Sequence, residues 1–166
     1  MGDGWQSWKP KHRGRPPGEW RQFRVAERVA GLKHRKADLG RFGEGASRAE
    51  KEGLDFGLDL QRQPINRHDK NAIMVQGRWT VQQKPWFRPA TKRVEKVQIG
   101  WIDRDAAAYL ALAGPNFPIA AEFYEMAVAN DPDPELGFGV IIKVIVLIPS
   151  FNDPLWGETS RIISGG

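Results

Sequence analysis

The sequence predicts a mainly β protein with minor α, a small closed barrel of six short strands with one main helix. Three observations carry that prediction. Apolar residues recur at every second position over several short stretches, the period of a half-buried strand. The 166 residues include 18 Gly and 12 Pro, which favours turns over long helices. One stretch, residues 104–113, has the alanine content and apolar face of a main helix. Short strands around one core, with few long connections, close most simply into a barrel.

The elements follow in order. Residues 1–18 combine Pro, Gly and charge and read as a flexible basic arm, ahead of a domain over 19–148 and a tail over 149–166. From 19 to 31, Phe23, Val25, Glu27 and Val29 alternate with Arg24, Ala26, Arg28 and Ala30, a first strand that Gly31 ends. Residues 36–46 read as loop, and Ser47-Arg48-Ala49-Glu50 is a capping box for a short helix to about residue 52. Leu54, Phe56, Leu58 and Leu60 alternate in a second strand, and 72–77 opens a third that continues through Trp79 and Val81. Residues 82–96, with two prolines and several cations, read as a projecting loop. A fourth strand spans 97–102. Asp103 caps the helix 104–113, which Gly114-Pro115 stops. Strands over 119–126 and 138–147 are joined by an acidic loop at 130–135. The tail is rich in Pro and Gly, with Phe151, Leu155 and Trp156 expected to dock on the barrel. No internal repeat is visible.

Composition bounds the chemistry. The length suits one domain with a buried core. Without cysteine there are neither disulfides nor thiolate metal sites, and His12, His34 and His68 are too dispersed to read as a zinc site. No cofactor or metal is expected. The longest apolar run, 140–148, is strand-length and interrupted by Lys143, far short of the roughly 18 residues of a membrane helix. The basic N-terminus lacks an apolar signal core, so a cytoplasmic protein without a membrane partner is expected. The net charge of +5 is uneven. Residues 1–36 hold ten Lys/Arg against Asp3, Glu19 and Glu27, a balance of +7, so the remaining 130 residues sum to −2. That asymmetry suits a polyanion met from one side, and equally a solvated basic tail.

The richest stretch is Arg62-Gln63-Pro64-Ile65-Asn66-Arg67-His68-Asp69-Lys70-Asn71-Ala72-Ile73. It lies between two predicted strands, where small sheet proteins usually turn with about two to five residues. Here the corner carries Arg, His, Asp, Lys and two Asn. Such a density of ionisable side chains marks a candidate site.

Several separated motifs then occur in one order: Val29-Ala30-Gly31-Leu32; Leu60-Gln61-Arg62-Gln63-Pro64; Asn66; Asp69-Lys70-Asn71-Ala72-Ile73; and Ile99-Gly100-Trp101-Ile102 with Arg104 and Ala107. In these the chain resembles a HIRAN domain over residues 21–148. The resemblance implies an OB-like β-barrel that binds single-stranded DNA, with a pocket for a free 3′-hydroxyl end. It is the stand-alone bacterial or phage form that the chain resembles, since no G-x-x-x-x-G-K-S/T of a translocase motor occurs. The resemblance carries a basic residue and a ring onto Lys33 and His34, a ring and a carboxylate onto His68 and Asp69, a further ring onto Trp101 and a cation onto Arg104. It implies tyrosines where His34 and His68 stand, and imidazole is a smaller stacking platform, so weaker base clamping is expected.

The chemistry of these residues agrees. A carboxylate beside phosphates is repelled unless it meets a donor; a terminal 3′-hydroxyl is such a donor for Asp69, whereas a 3′-phosphate would be excluded. Lys33, Arg35, Arg67, Lys70 and Arg104 would neutralise the last phosphates. Each residue also has a plainer reading. Asp69, Asn66 and Asn71 can shape the turn, His34 and His68 can be ordinary half-exposed rings, Trp101 can be core, and Arg62 can pair with a carboxylate of the sheet. Trp86 and Phe87, set among Lys84, Arg88, Lys92 and Arg93, suit accessory contacts to a flexible strand, or an ordinary long hairpin with its rings folded onto the barrel.

The expected function is therefore a non-catalytic DNA-binding module for single strands or free 3′ ends, in replication, repair or phage DNA metabolism. Its expected partners are DNA and a helicase, nuclease or phage protein. The alternatives are a protein-interaction adaptor built on the barrel and a metal-dependent nuclease using Asp69, Asp103 and Asp105.

Overall fold

The computed structural model describes residues 5–129 and 139–165. Its elements are β1 (Trp5–Trp8), β2 (Trp20–Arg28), a 3-10 turn (Leu32–His34), α1 (Lys36–Glu52), β3 (Phe56–Arg62), β4 (Ile73–Gln83), β5 (Thr91–Trp101), α2 (Arg104–Leu112), β6 (Ala120–Ala129), β7 (Val140–Pro149) and α3 (Gly157–Ile163). The fold is mainly β with minor α, as the sequence predicts. Among the described residues the hydrogen bonding does not close a six-stranded barrel. The seven strands of the described residues divide between a four-stranded antiparallel sheet, β1-β6-β7-β2, and a three-stranded one, β3-β4-β5. The pairing between β2 and β7 shifts register twice, and Ala26 sits at φ 57°. Such irregularities bend a strand. The chain beyond β2 then reaches β5 through one bridge, Ala30 with Trp101, instead of a ladder.

The predicted loop 36–46 is the first part of α1, a 17-residue helix. Gly40, Gly43 and Gly45 hid it, since each costs about 1 kcal/mol against alanine in a helix interior. Packing overrides that propensity. Leu39, Phe42, Ala46 and Ala49 recur at helical spacing and are buried. A side chain at Gly45 would run into the Trp79 indole, and one at Gly77 into the Phe42 ring. These glycines let α1 lie flat on β4. Phe42 meets Trp79 edge-on at 6.3 Å and Phe123 at 5.4 Å, tying helix and both sheets into one aromatic core.

The predicted flexible arm is also tied down. β1 pairs with β6, and Trp8 stacks on Phe56 at 5.9 Å and meets Phe123 at 5.2 Å. Buried Glu122 draws in Arg15 at 3.3 Å and Arg13 at 3.8 Å, and Lys9 pairs with Glu125 at 4.0 Å. Much of the arm's positive charge is thus answered within the fold.

Elsewhere the predicted strands extend. β4 runs to Gln83 and β5 starts at Thr91, so the projecting loop shrinks to residues 84–90. Asp103 caps α2 as expected, its carboxylate accepting from the Asp105 N–H at 3.0 Å and the Ala106 N–H at 3.3 Å. The acidic loop 130–135 lies outside the described residues. In the tail, Trp156 docks edge-on against Phe117 at 5.6 Å, whereas Leu155 stays exposed. Arg21 lies 3.7 Å over the Phe151 ring. Among the described residues no helix is long and apolar enough to cross a membrane.

Candidate functional site

The 62–73 corner builds itself from backbone donors and side-chain acceptors. The Gln63 N–H donates to the Ala72 carbonyl at 2.9 Å, and the Asn66 N–H to the Gln63 carbonyl at 3.0 Å. Asn66 Oδ1 accepts from the His68 N–H at 2.9 Å and the Asp69 N–H at 3.1 Å. Asp69 Oδ1 in turn accepts from the Asn71 N–H at 2.9 Å, and the Ala72 N–H returns to the Asp69 carbonyl at 3.1 Å. Asn66 and Asp69 are therefore turn builders. Asp69 has a second oxygen left over. Its Oδ2 faces Arg104 Nε at 3.7 Å, an ion pair too long for a hydrogen bond. The Asp69 side chain keeps 22% of its surface open.

The facing wall is set by a close approach of two chains. Gly100 carries no side chain where the Ala30 carbonyl crosses it. The Ala30 N–H can then donate to the Trp101 carbonyl at 2.8 Å, and the Trp101 N–H to the Ala30 carbonyl at 2.9 Å. Gly31, at φ 79°, turns the chain away into the 3-10 turn, and the edge of the Trp101 indole lies over it. The capped start of α2 puts Arg104 at the rim.

Between corner and wall lies an open cavity of about 310 Å³. It gathers five predicted site residues, Asn66, His68, Asp69, Trp101 and Arg104, with Ala30, Ala72 and Ile102 completing the lining. Ala30 and Ala72, not singled out from the sequence as site residues, leave the space by being small. Their signal was present in the Val-Ala-Gly and Asn-Ala-Ile motifs.

Other predicted residues are not brought into it. Lys33 and His34 are exposed on the 3-10 turn that follows Gly31, and Arg35 pairs with Asp38 at 3.9 Å. None of the three lines the cavity. Arg67 is exposed. Lys70 lines a neighbouring cavity of about 420 Å³ with Arg62, Asn71 and the end of α2. Arg62 has no carboxylate partner among the described residues; its Nη2 donates to the Phe117 carbonyl at 2.7 Å. Burial pushes the Arg62 guanidinium below its usual pKa.

The accessory aromatics form a separate region. Met74 pairs with Trp101 at one end of the β4–β5 ladder and Gln83 with Thr91 at the other. Nine residues of strand put the hairpin tip roughly 30 Å from the cavity. Trp86 is 95% and Phe87 63% exposed, so neither ring folds onto the body. Arg88 lies 5.1 Å over the Phe87 ring, Lys92 is exposed, and Arg93 pairs with Glu95 at 2.8 Å.

A larger cavity, about 680 Å³, lies under the arm, where Glu50, Asp55 and Glu122 face Lys11, His12, Arg13 and Arg15. None of the predicted site residues lines it. Among the described residues no three His, Asp or Glu side chains gather where they could share a metal ion. Comparison with family models, with curated proteins and with solved structures gives no match.

Proposed function

We propose that the protein is a non-catalytic DNA-binding module that seats the free 3′-hydroxyl end of a single strand between the 62–73 corner and Trp101. The resemblance to HIRAN domains implies the same use. The observation that carries the reading is the state of Asp69. One carboxylate oxygen is fixed by the Asn71 N–H, and the other faces the cavity rim with an ion pair but no hydrogen bond among the described residues. A hydroxyl is the donor that such an oxygen lacks. His68 and Trp101 offer ring faces to the terminal base. Arg104, Lys33, His34, Arg35, Arg67 and Lys70, on the corner and on the loops beside it, are donors and cations for the sugar and phosphates that follow. The setting this fits is the handling of DNA ends in replication, repair or phage DNA metabolism.

The test is a competition between two otherwise identical oligonucleotides, one ending in 3′-hydroxyl and one in 3′-phosphate. The hydroxyl strand should win by about tenfold or more, a charge-assisted hydrogen bond being worth about 1.5–3 kcal/mol. Asp69→Asn keeps an oxygen for the Asn71 N–H but loses the charge, and should shrink that preference with little change in stability. Equal binding of the two strands would sink end recognition.

One observation favours a second reading, a protein-interaction adaptor: the exposed rings at the hairpin tip are the kind of apolar surface that partner proteins cover. Failure to bind any oligonucleotide at low salt would favour it. Against a nuclease, Asp103 is occupied as a helix cap and is not a lining residue of the cavity that holds Asp69.

A further inference from the structure

We propose that the hairpin at residues 84–90 is a wedge for duplex DNA, so that the protein reads the junction between a duplex and its 3′ tail. The inference rests on the reading of the cavity as the seat of that tail's end.

Shape is the first argument. The last β3–β4 pair is Phe56 with Trp79, the Thr80 N–H still donates to the Asp55 carbonyl at 2.9 Å, and Val81 packs on the core. The pairs Gln82 with Lys92 and Gln83 with Thr91 therefore continue as a short two-stranded ribbon beyond the sheet. A two-stranded ribbon is an element that a major groove admits. The ribbon ends in a tight turn in which the Arg88 N–H donates to the Pro85 carbonyl at 3.4 Å. Trp86 and Phe87 therefore occupy its two central positions, edge-to-face at 5.6 Å. Rings on adjacent residues at a tip do not provide the successive platforms that a single strand stacks along. They do fit the use in which apolar side chains enter a base step end-on and cations hold the flanking phosphates.

Charge is the second argument. Over residues 83–101 Lys84, Arg88, Lys92, Arg93 and Lys96 stand against Glu95, and Glu95 is itself bound by Arg93 and by Arg41 at 3.9 Å. The ribbon is a cationic arm with an apolar tip. Its reach is the third argument. A tail seated by its 3′ end must cross roughly 30 Å of sheet before its duplex meets the tip, which fixes the tail length that suits both contacts.

The probe is a hairpin duplex with 3′-hydroxyl tails of about 4 to 16 nucleotides, the range of single-strand site sizes, and 2-aminopurine in the last base pair. The protein should raise 2-aminopurine fluorescence most at one intermediate tail length, where affinity also peaks. The double variant Trp86→Ala/Phe87→Ala should lose the fluorescence rise and bind about tenfold more weakly at that length. It should keep the 3′-hydroxyl preference on unpaired oligonucleotides, which confirms that it is folded. No fluorescence rise at any length, or a rise unchanged in the variant, overturns the wedge. So does Trp86-dependent binding to phosphatidylserine vesicles without any effect on the junction. A Trp86-dependent rise without 3′-hydroxyl preference would instead overturn the cavity reading and leave the wedge standing.

Discussion

The cavity and the hairpin tip are both dense in rings and cations, yet they are held in opposite ways. In the cavity the chain is fixed from inside: Asn66 accepts two backbone N–H groups, Asp69 a third, and Trp101 exchanges two bonds with Ala30. At the tip a single 3.4 Å bond closes the turn and the rings stand in water. The comparison separates two kinds of recognition. Choosing a hydroxyl over a phosphate requires an acceptor held to within a fraction of an ångström, and backbone donors supply that. Inserting or stacking a ring against a base tolerates motion, and exposure supplies the area. Selectivity should therefore depend on the internal hydrogen bonds of the corner, and added affinity on the tip.

The strongest way to break the comparison is Gly100→Val. A side chain there collides with the Ala30 carbonyl, so the bridge that sets the Trp101 wall must open. Overpacking plus two lost backbone bonds should lower stability by about 3 kcal/mol or more, measured by urea unfolding. A loss below about 1 kcal/mol would mean that the wall yields easily and that the cavity is no more rigid than the tip. Asn66→Ala sharpens the same point with a smaller effect. It frees the His68 and Asp69 N–H groups at a half-exposed site, which should cost about 1 kcal/mol. The 3′-hydroxyl preference should fall with it, because Asp69 loses its anchor. A full preference in that variant would show that Asp69 is positioned without Asn66.

How legible each region was follows from the same physics. The corner announced itself because turn chemistry is local: Asn66 and Asp69 bond to N–H groups two or three residues on, so the residue types and their spacing are the structure. Asp103 was readable as a cap for the same reason. That Trp101 and Arg104 lie across from Asp69 was not legible, since no local rule brings β5 and the start of α2 to the corner. The first part of helix α1 was missed because Gly45 makes sense only against Trp79, a side chain presented by a strand. The two-sheet architecture was hidden by the register shifts of β2 against β7, a non-local pairing that no local pattern announces. Arg13 and Arg15 read as free cations because their acceptor, Glu122, is more than a hundred residues away.

The smallest expected effect is the most telling for the tip. Trp86→Ala removes the largest of the natural side chains from a position that is 95% exposed. If the ring serves only a partner, the folded chain loses almost no burial, and the stability change should stay within about 0.5 kcal/mol by urea unfolding. Phe87, which it meets edge-to-face, is itself 63% exposed, so even that contact adds little in water. A destabilisation above about 1 kcal/mol would mean that the indole packs on the body in solution. The tip would then be built like the cavity, by internal contacts, and the division between a rigid reader and a free wedge would fall.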